Sequence, residues 1–312
     1  MVCQLQNVLW LIAALVSNRS ALEVLREKVL HTFPWSQISP SVELSKEPFF
    51  RRLLHTTISN NLHQLVSRAH IRVPEARYMF GIVDEFRVLK EGEVFVQITD
   101  DNGQKTVVKG PIAITKNPCR HPGDLRVLQA VDNEALHHLY DVLVFPQIGS
   151  RPHASEISGS DLDGDEYTVI YDHDLIPTSP NPPPYDYDSG PAPVPLDRVV
   201  TRADRLKVIL DICEQDNLGR LSNMHLILSD LWGIDSKIAI SVAAGLSEEL
   251  DSVKSGQHPY TAEQIQKINT IIDRSRPDFM QTFGYDEYQS DKILGKSSLY
   301  LNDWTHRCIL TE

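Results

Sequence analysis

A chain of 312 residues with 41% hydrophobic content is long enough for two or three domains and a sizeable core, as in soluble globular proteins. Its formal net charge of -12 excludes nucleic-acid binding through overall charge, so any phosphate-binding surface must be a local basic cluster. Cys3, Cys119, Cys213 and Cys308 are too dispersed for a metal clip and too few for a disulfide framework, which points to a reducing intracellular compartment.

Residues 1–70 carry a helical pattern. The run from Val8 to Val16 resembles a signal-peptide core in length but lacks a basic start and a small-residue cleavage site, and it is too short to cross a bilayer. It reads as a buried helix continued by Ala21 to Leu30, with Leu22, Leu25, Val29 and Leu30 on one face, which makes the Asn18-Arg19-Ser20 sequon a chance match. Breaks are expected at Phe33-Pro34-Trp35 and Ser39-Pro40. Ile71-Arg72-Val73-Pro74 opens a β-rich region over 71–176. Its strands are expected at Tyr78 to Val83, Val94 to Ile98, Thr106 to Lys109, Ile112 to Thr115, Asp141 to Pro146 and Tyr167 to Tyr171, with Asp101-Asn102-Gly103 as a turn. A proline-rich linker or surface excursion over 177–195 follows. Helical spacing resumes over 196–312, as in Val208, Ile209, Ile212 and then Leu226, Ile227, Leu231. No internal repeat is evident.

Between the last two strand runs lies Asp161-Leu162-Asp163-Gly164-Asp165-Glu166-Tyr167. Three carboxylates this close repel one another, and a hard divalent cation with oxygen ligands is their natural counter-charge. Gly164 permits the sharp turn that lets Asp161, Asp163 and Asp165 converge. Glu166, entering the following strand, should point away. An exposed acidic turn is the alternative on these residues alone. An EF-hand loop would need a glycine where Glu166 stands and a glutamate where Asp172 stands. Local basic residues, Lys105, Lys109, Lys116, Arg120, His121 and Arg126, then Arg151 with His153, are candidates for phosphate contact or a solvated sheet face. His137-His138 reads as coincidence, because adjacent residues do not face the same way. Asp124 and Asp132 read as turn and cap residues.

The blocks Lys116-Asn117-Pro118-Cys119-Arg120-His121-Pro122-Gly123-Asp124, Ala130-Val131-Asp132, Val144-Phe145-Pro146-Gln147, Arg151-Pro152-His153 and Ser158 through Asp165 are the core of a wider similarity. Gly81-Ile82-Val83-Asp84-Glu85 and Gly92-Glu93-Val94-Phe95-Val96 extend it upstream; Asp216-Asn217-Leu218-Gly219, His225, Asp230 and Ile293-Leu294-Gly295-Lys296 extend it downstream. In order and spacing they resemble the catalytic region of the eukaryotic RNA-dependent RNA polymerases of gene silencing, over roughly residues 71 to 300. The resemblance implies an α+β protein whose residues 71–176 form a double-psi β-barrel, the second of the family's two, flanked by a helical connector over 1–70 and a helical neck over 196–312. The first barrel has no counterpart here, so the chain reads as a partial polymerase.

The implied chemistry is nucleotidyl transfer with two magnesium ions on Asp161, Asp163 and Asp165. Lys116, Arg120 and Arg151 are the expected cations for phosphate charge. Lys254, in a stretch with Asp251 and Gly256 that echoes a family motif, is expected near the nucleic acid. Single-stranded RNA and nucleoside triphosphates are the implied substrates, Dicer- or Argonaute-class silencing proteins the implied partners, without a membrane. The implied site is cytoplasmic or nuclear, including a nuclear RNA-directed RNA polymerase complex. Two functions follow: synthesis of double-stranded RNA for silencing, or an inactive partial copy serving as an RNA-binding or docking module.

Overall fold

Ala21, Val24 and Leu25, at helical spacing, are the buried face of helix α1 (Asn18–Lys28), which belongs to one of two compact units, Met1–Val73 with Arg274–Glu312. The other unit is Pro74–Asp273. The computed structural model describes residues 9–28, 32–68, 71, 73–100, 102–187, 197–215, 217–250, 252, 259–273, 275–280 and 284–296. The expected continuous helix through Val16 and Ser17 is interrupted, because the Ser17 hydroxyl accepts the Ser20 amide and starts α1 afresh. Leu22 packs beside the buried cluster rather than at its centre, and Val29 and Leu30 lie outside the described residues. The Asn18 side chain is used internally, accepting the Leu44 amide at 2.6 Å and donating to the Val42 carbonyl at 3.0 Å. Helix α2 (Pro48–Arg68) starts where the Glu47 carboxylate accepts the Phe50 amide, and it buries Leu54, Ile58, Leu62 and Leu65 at intervals of three and four.

In the larger unit, alternating apolar residues form β1 (Ala76–Val83), β2 (Glu93–Thr99), β3 (Lys105–Val107), β4 (Gly110–Thr115), β5 (Arg126–Ala130), β6 (Val142–Phe145) and β7 (Glu166–Ile170). Six of them close in the order β2-β5-β4-β7-β1-β6, with β6 returning to β2. The pairs β1/β6 and β2/β5 are parallel and the other four antiparallel, which gives the expected double-psi barrel. Val96, Ile112, Ile114, Leu143, Phe145 and Tyr167 are among the residues that fill its core.

One strand assignment changes. The Thr106 to Lys109 run supplies only β3, a hairpin arm on β2 outside the closed ring, and the sixth barrel strand is β5, which the apolar pattern does not announce. Its inward position Arg126 is buried with its guanidinium paired to Glu156 at 3.3 Å and bonded to the Pro182 carbonyl.

Among the described residues, the longer helices of this unit are α3 (Arg202–Gln215), α4 (Leu218–Trp232), α5 (Lys237–Leu250) and α6 (Ala262–Ile272). Helices α4 and α5 pack against each other, and each buries an apolar face, Leu221, Met224 and Leu228 on α4 and Val242, Ala243 and Leu246 on α5. Helices α3 to α6 fall in the same compact unit as the barrel.

The proline-rich segment is a strap over its described part, 177–187. Proline lacks an amide donor but keeps its carbonyl, and the barrel supplies donors to match. Arg126 donates to the Pro182 carbonyl at 2.6 Å, Arg151 to the Tyr185 carbonyl at 2.9 Å, and the Asn181 side chain bonds both main-chain groups of Val127.

Candidate metal centre

The acidic loop is held from behind by one buried tyrosine. Tyr167, the second residue of β7, is fully buried, and its hydroxyl lies 2.8 Å from Ser160 Oγ and 3.0 Å from the Asp161 carbonyl oxygen, to which it can donate. Ser160 in turn donates to the carbonyls of Ala154 and Ile157 in the helical turn His153–Glu156 and just after it. At the far end of the loop the Gly81 amide of β1 donates to the Asp165 carbonyl at 3.1 Å. Gly164, at φ +132°, takes a backbone conformation that side chains disfavour, and the chain doubles back there.

The result is convergence. One carboxylate oxygen from each of Asp161, Asp163 and Asp165 lies within 4.8 Å of the others. Asp161 and Asp163 are exposed and Asp165 half-buried. The Asp161 amide donates to Asp165 Oδ2 at 3.1 Å, and the Lys116 ammonium forms a short ion pair with the same carboxylate. A hydrogen bond with Asp163 lowers the pKa of Asp161; the same bond, then repulsion from Asp161, raises that of Asp163. Glu166 turns away as expected, toward Tyr78, whose phenol is pushed up by burial and then by Glu166.

The three acids open onto a cavity of about 240 Å³ lined also by Lys116, Pro118, Ser158, Gly159, Tyr187, Ser247 and Leu250. An all-oxygen donor set on one side of an open cleft fits a hard divalent cation that completes its shell with water or phosphate oxygen. These three acids are the only such cluster among the described residues.

The expected cations go to different places. Lys116 lies in the cleft. Arg120 is half-buried, and its charge, after burial, helps hold the imidazole of His225 on α4 down at about 4. The Arg151 guanidinium bonds Ser155 and the Tyr185 carbonyl, away from the acids. Lys254 lies outside the described residues. Lys105 sits over the Tyr140 ring and Lys109 pairs with Asp132 at 2.7 Å, so these basic residues have internal partners. His137 bonds Asp132, while the His138 ring meets Phe86 edge-on, and the two histidines form no pair. Asp124 accepts the Arg120 and His121 amides, as a turn residue should. Sequence reasoning passed over Tyr187 and Ser247; the aromatic residues within a proline-rich stretch, Tyr185 and Tyr187, were the available sign that it packs.

A profile of the family described as RNA dependent RNA polymerase matches residues 4–300. The chain is 37% identical over 280 residues to the probable RNA-dependent RNA polymerase SHL2 of Oryza sativa subsp. japonica, covering 83% of this chain and 22% of that protein. It is 36% identical over 260 residues to RNA-dependent RNA polymerase 1 of Arabidopsis thaliana, covering 80% and 22%. With RNA-dependent RNA polymerase 1 of Schizosaccharomyces pombe the identity is 31% over 279 residues, covering 81% and 22%. The chain thus spans about a fifth of the length of these relatives. Among solved structures, the RNA dependent RNA polymerase QDE-1 from Thielavia terrestris matches with a TM-score of 0.64 at 18% identity, over 98% of this chain and 39% of that one. That likeness establishes the fold.

Proposed function

The chain belongs to the RNA-dependent RNA polymerase family, and on that premise we propose that it carries the metal-binding side of a template-directed RNA polymerase active site. Single-stranded RNA is the template and nucleoside triphosphates are the substrates. The observation that carries this reading is the convergence of Asp161, Asp163 and Asp165 on one cleft with Lys116 at its wall. Bound magnesium would supply the charge that acidifies the attacking 3′-hydroxyl and offsets charge on the α-phosphate and the departing pyrophosphate. The protein's part is positional. The three acids would hold the ions, Tyr167 and Ser160 fix the loop, and Lys116 offsets charge on Asp165 and, among the described residues, is the cation lining the cleft that an incoming phosphate would enter. An inactive copy is not favoured, since three carboxylates packed within 4.8 Å repel one another and serve no purpose in a docking module. Small-RNA silencing proteins of the Dicer or Argonaute class, in the cytoplasm or nucleus, are the partners we propose. Among the described residues, no helix is long and apolar enough to cross a membrane.

Calorimetric titration with magnesium tests the site. We expect weak binding by the chain alone and tighter binding with nucleoside triphosphate present, both lost in Asp163→Ala. Equal binding by wild type and variant refutes the assignment. In a longer protein that contains this chain and a first barrel, Asp165→Ala should abolish RNA synthesis and leave RNA binding intact.

A further inference from the structure

Tyr187 lies outside the barrel and the acidic loop, yet it touches both walls of the cleft. Its hydroxyl donates to Oδ1 of Asp124 in a short hydrogen bond. Asp124 is 1% exposed, and its Oδ2 accepts the Arg120 and His121 amides at 3.1 and 2.9 Å. That carboxylate therefore ties Tyr187 to the segment that begins with Lys116. Burial, then the bond to Asp124, pushes the Tyr187 phenol far up, so it remains a donor at any physiological pH.

The Tyr187 ring covers the other wall. A Cβ on Gly159 would lie 2.7 Å from Tyr187 Cγ, so the ring rests against bare backbone. Ser158 and Gly159 are both left-handed, at φ +53° and +60°, and for a serine that conformation is strained. The Ser158 hydroxyl donates to the Lys116 carbonyl at 3.3 Å and reaches that of Pro118 at 3.5 Å. Immediately after come Ser160, which anchors the loop, and Asp161. A strained serine and the glycine after it, at the root of the acidic loop, are thus clamped between Tyr187 and the Lys116 segment.

We infer that Tyr187, acting with Asp124, is a positioning residue for the metal centre: it sets the spacing between Lys116 and the three aspartates by wedging the strap against Gly159. The inference deepens the metal-site reading above and, for its metal readout, rests on it. A group of this kind touches no metal but fixes the residues that do, and loss of such supports costs roughly ten- to a hundredfold in metal affinity.

The test uses the full chain, manganese(II) as the probe, and two variants that break the same bond from opposite ends, Tyr187→Phe and Asp124→Asn. Electron paramagnetic resonance titration should show manganese affinity about tenfold weaker in both. Hydrogen exchange in metal-free protein should show faster exchange at the Ser160 and Asp161 amides, with β4 and β7 amides unchanged. A merely structural role would lower the melting temperature but leave the affinity of the folded protein and the pattern of exchange as in wild type, and that result overturns the inference. If wild type binds no manganese, the metal reading itself fails, and the exchange measurement still decides the positioning role: unchanged protection at Ser160 and Asp161 overturns it, selective loss supports it.

Discussion

Gly81→Ala is a severe test of how the acidic loop is supported, because it adds one methyl on β1 and alters none of the three aspartates. The new Cβ would lie 2.4 Å from Tyr167 Cε2 and 3.0 Å from both Tyr167 Cδ2 and Leu162 Cδ2. Carbon atoms pack at about 3.5 to 4.0 Å, so the ring or strand β1 must move by roughly 1 Å. The ring has little freedom: Tyr167 is 0% exposed, packs edge-on against Phe145 at 5.1 Å, and spends its hydroxyl on Ser160 and Asp161. Overpacking of this kind costs about 1 to 3 kcal/mol. Losing a tyrosine hydrogen bond adds about 1 kcal/mol. A total of about 2 to 4 kcal/mol corresponds to a fall in melting temperature of roughly 5 to 10 °C for a unit of this size. Thermal unfolding by circular dichroism measures it. The double variant Gly81→Ala with Tyr167→Leu then identifies the cause, since relief of the clash makes its cost smaller than the sum of the two single costs. A melting temperature unchanged in Gly81→Ala, or strict additivity in the double variant, refutes the account.

His225→Gln should flatten the acid side of the stability curve. Burial, then Arg120, lowers the folded pKa from 6.5 to about 4, so the unfolded chain takes up a proton that the folded one refuses. Stability from this group falls as pH drops from about 6.5 to about 4, by at most about 3 kcal/mol, and denaturant titrations across that range should show the slope in wild type and not in the variant. Gly123→Ala would put a methyl 2.3 Å from the Pro183 carbonyl oxygen and should lift the strap, read as new proteolytic cleavage within 177–187 while the barrel survives. Lys116→Met removes the cation beside Asp165; calorimetry should show magnesium binding tighter in the absence of nucleotide and a smaller gain when triphosphate is added.

The acidic loop was legible because its chemistry is local: three acids, one glycine and two flanking strands within a short stretch of chain. The strands rich in valine, isoleucine and phenylalanine were legible for the same reason. Strand β5 was not, since Arg126 occupies an inward position that Glu156 and the Pro182 carbonyl, both from other segments, make tolerable. The destination of a cation is equally invisible. Arg151 and Lys116 look alike in sequence, yet one is consumed by the Tyr185 carbonyl and the other faces the cleft. The strap failed to announce itself because its partners, two arginine side chains and the main chain of Val127, lie far along the chain, and proline content reports only what a segment cannot donate.

Asn181 has a role that goes beyond docking the strap. Strand β5 meets β2 only at Gln129 and Ala130, so the seam between them is open beside Val127. The Val127 amide and carbonyl there would form a short exposed edge, the kind of template on which a strand from another molecule can add. The Asn181 carboxamide carries one acceptor and one donor at nearly the spacing of a peptide group, and it takes both, at 2.8 and 2.9 Å. A single side chain thus stands in for a missing strand, occupying the two main-chain groups that an added strand would pair with.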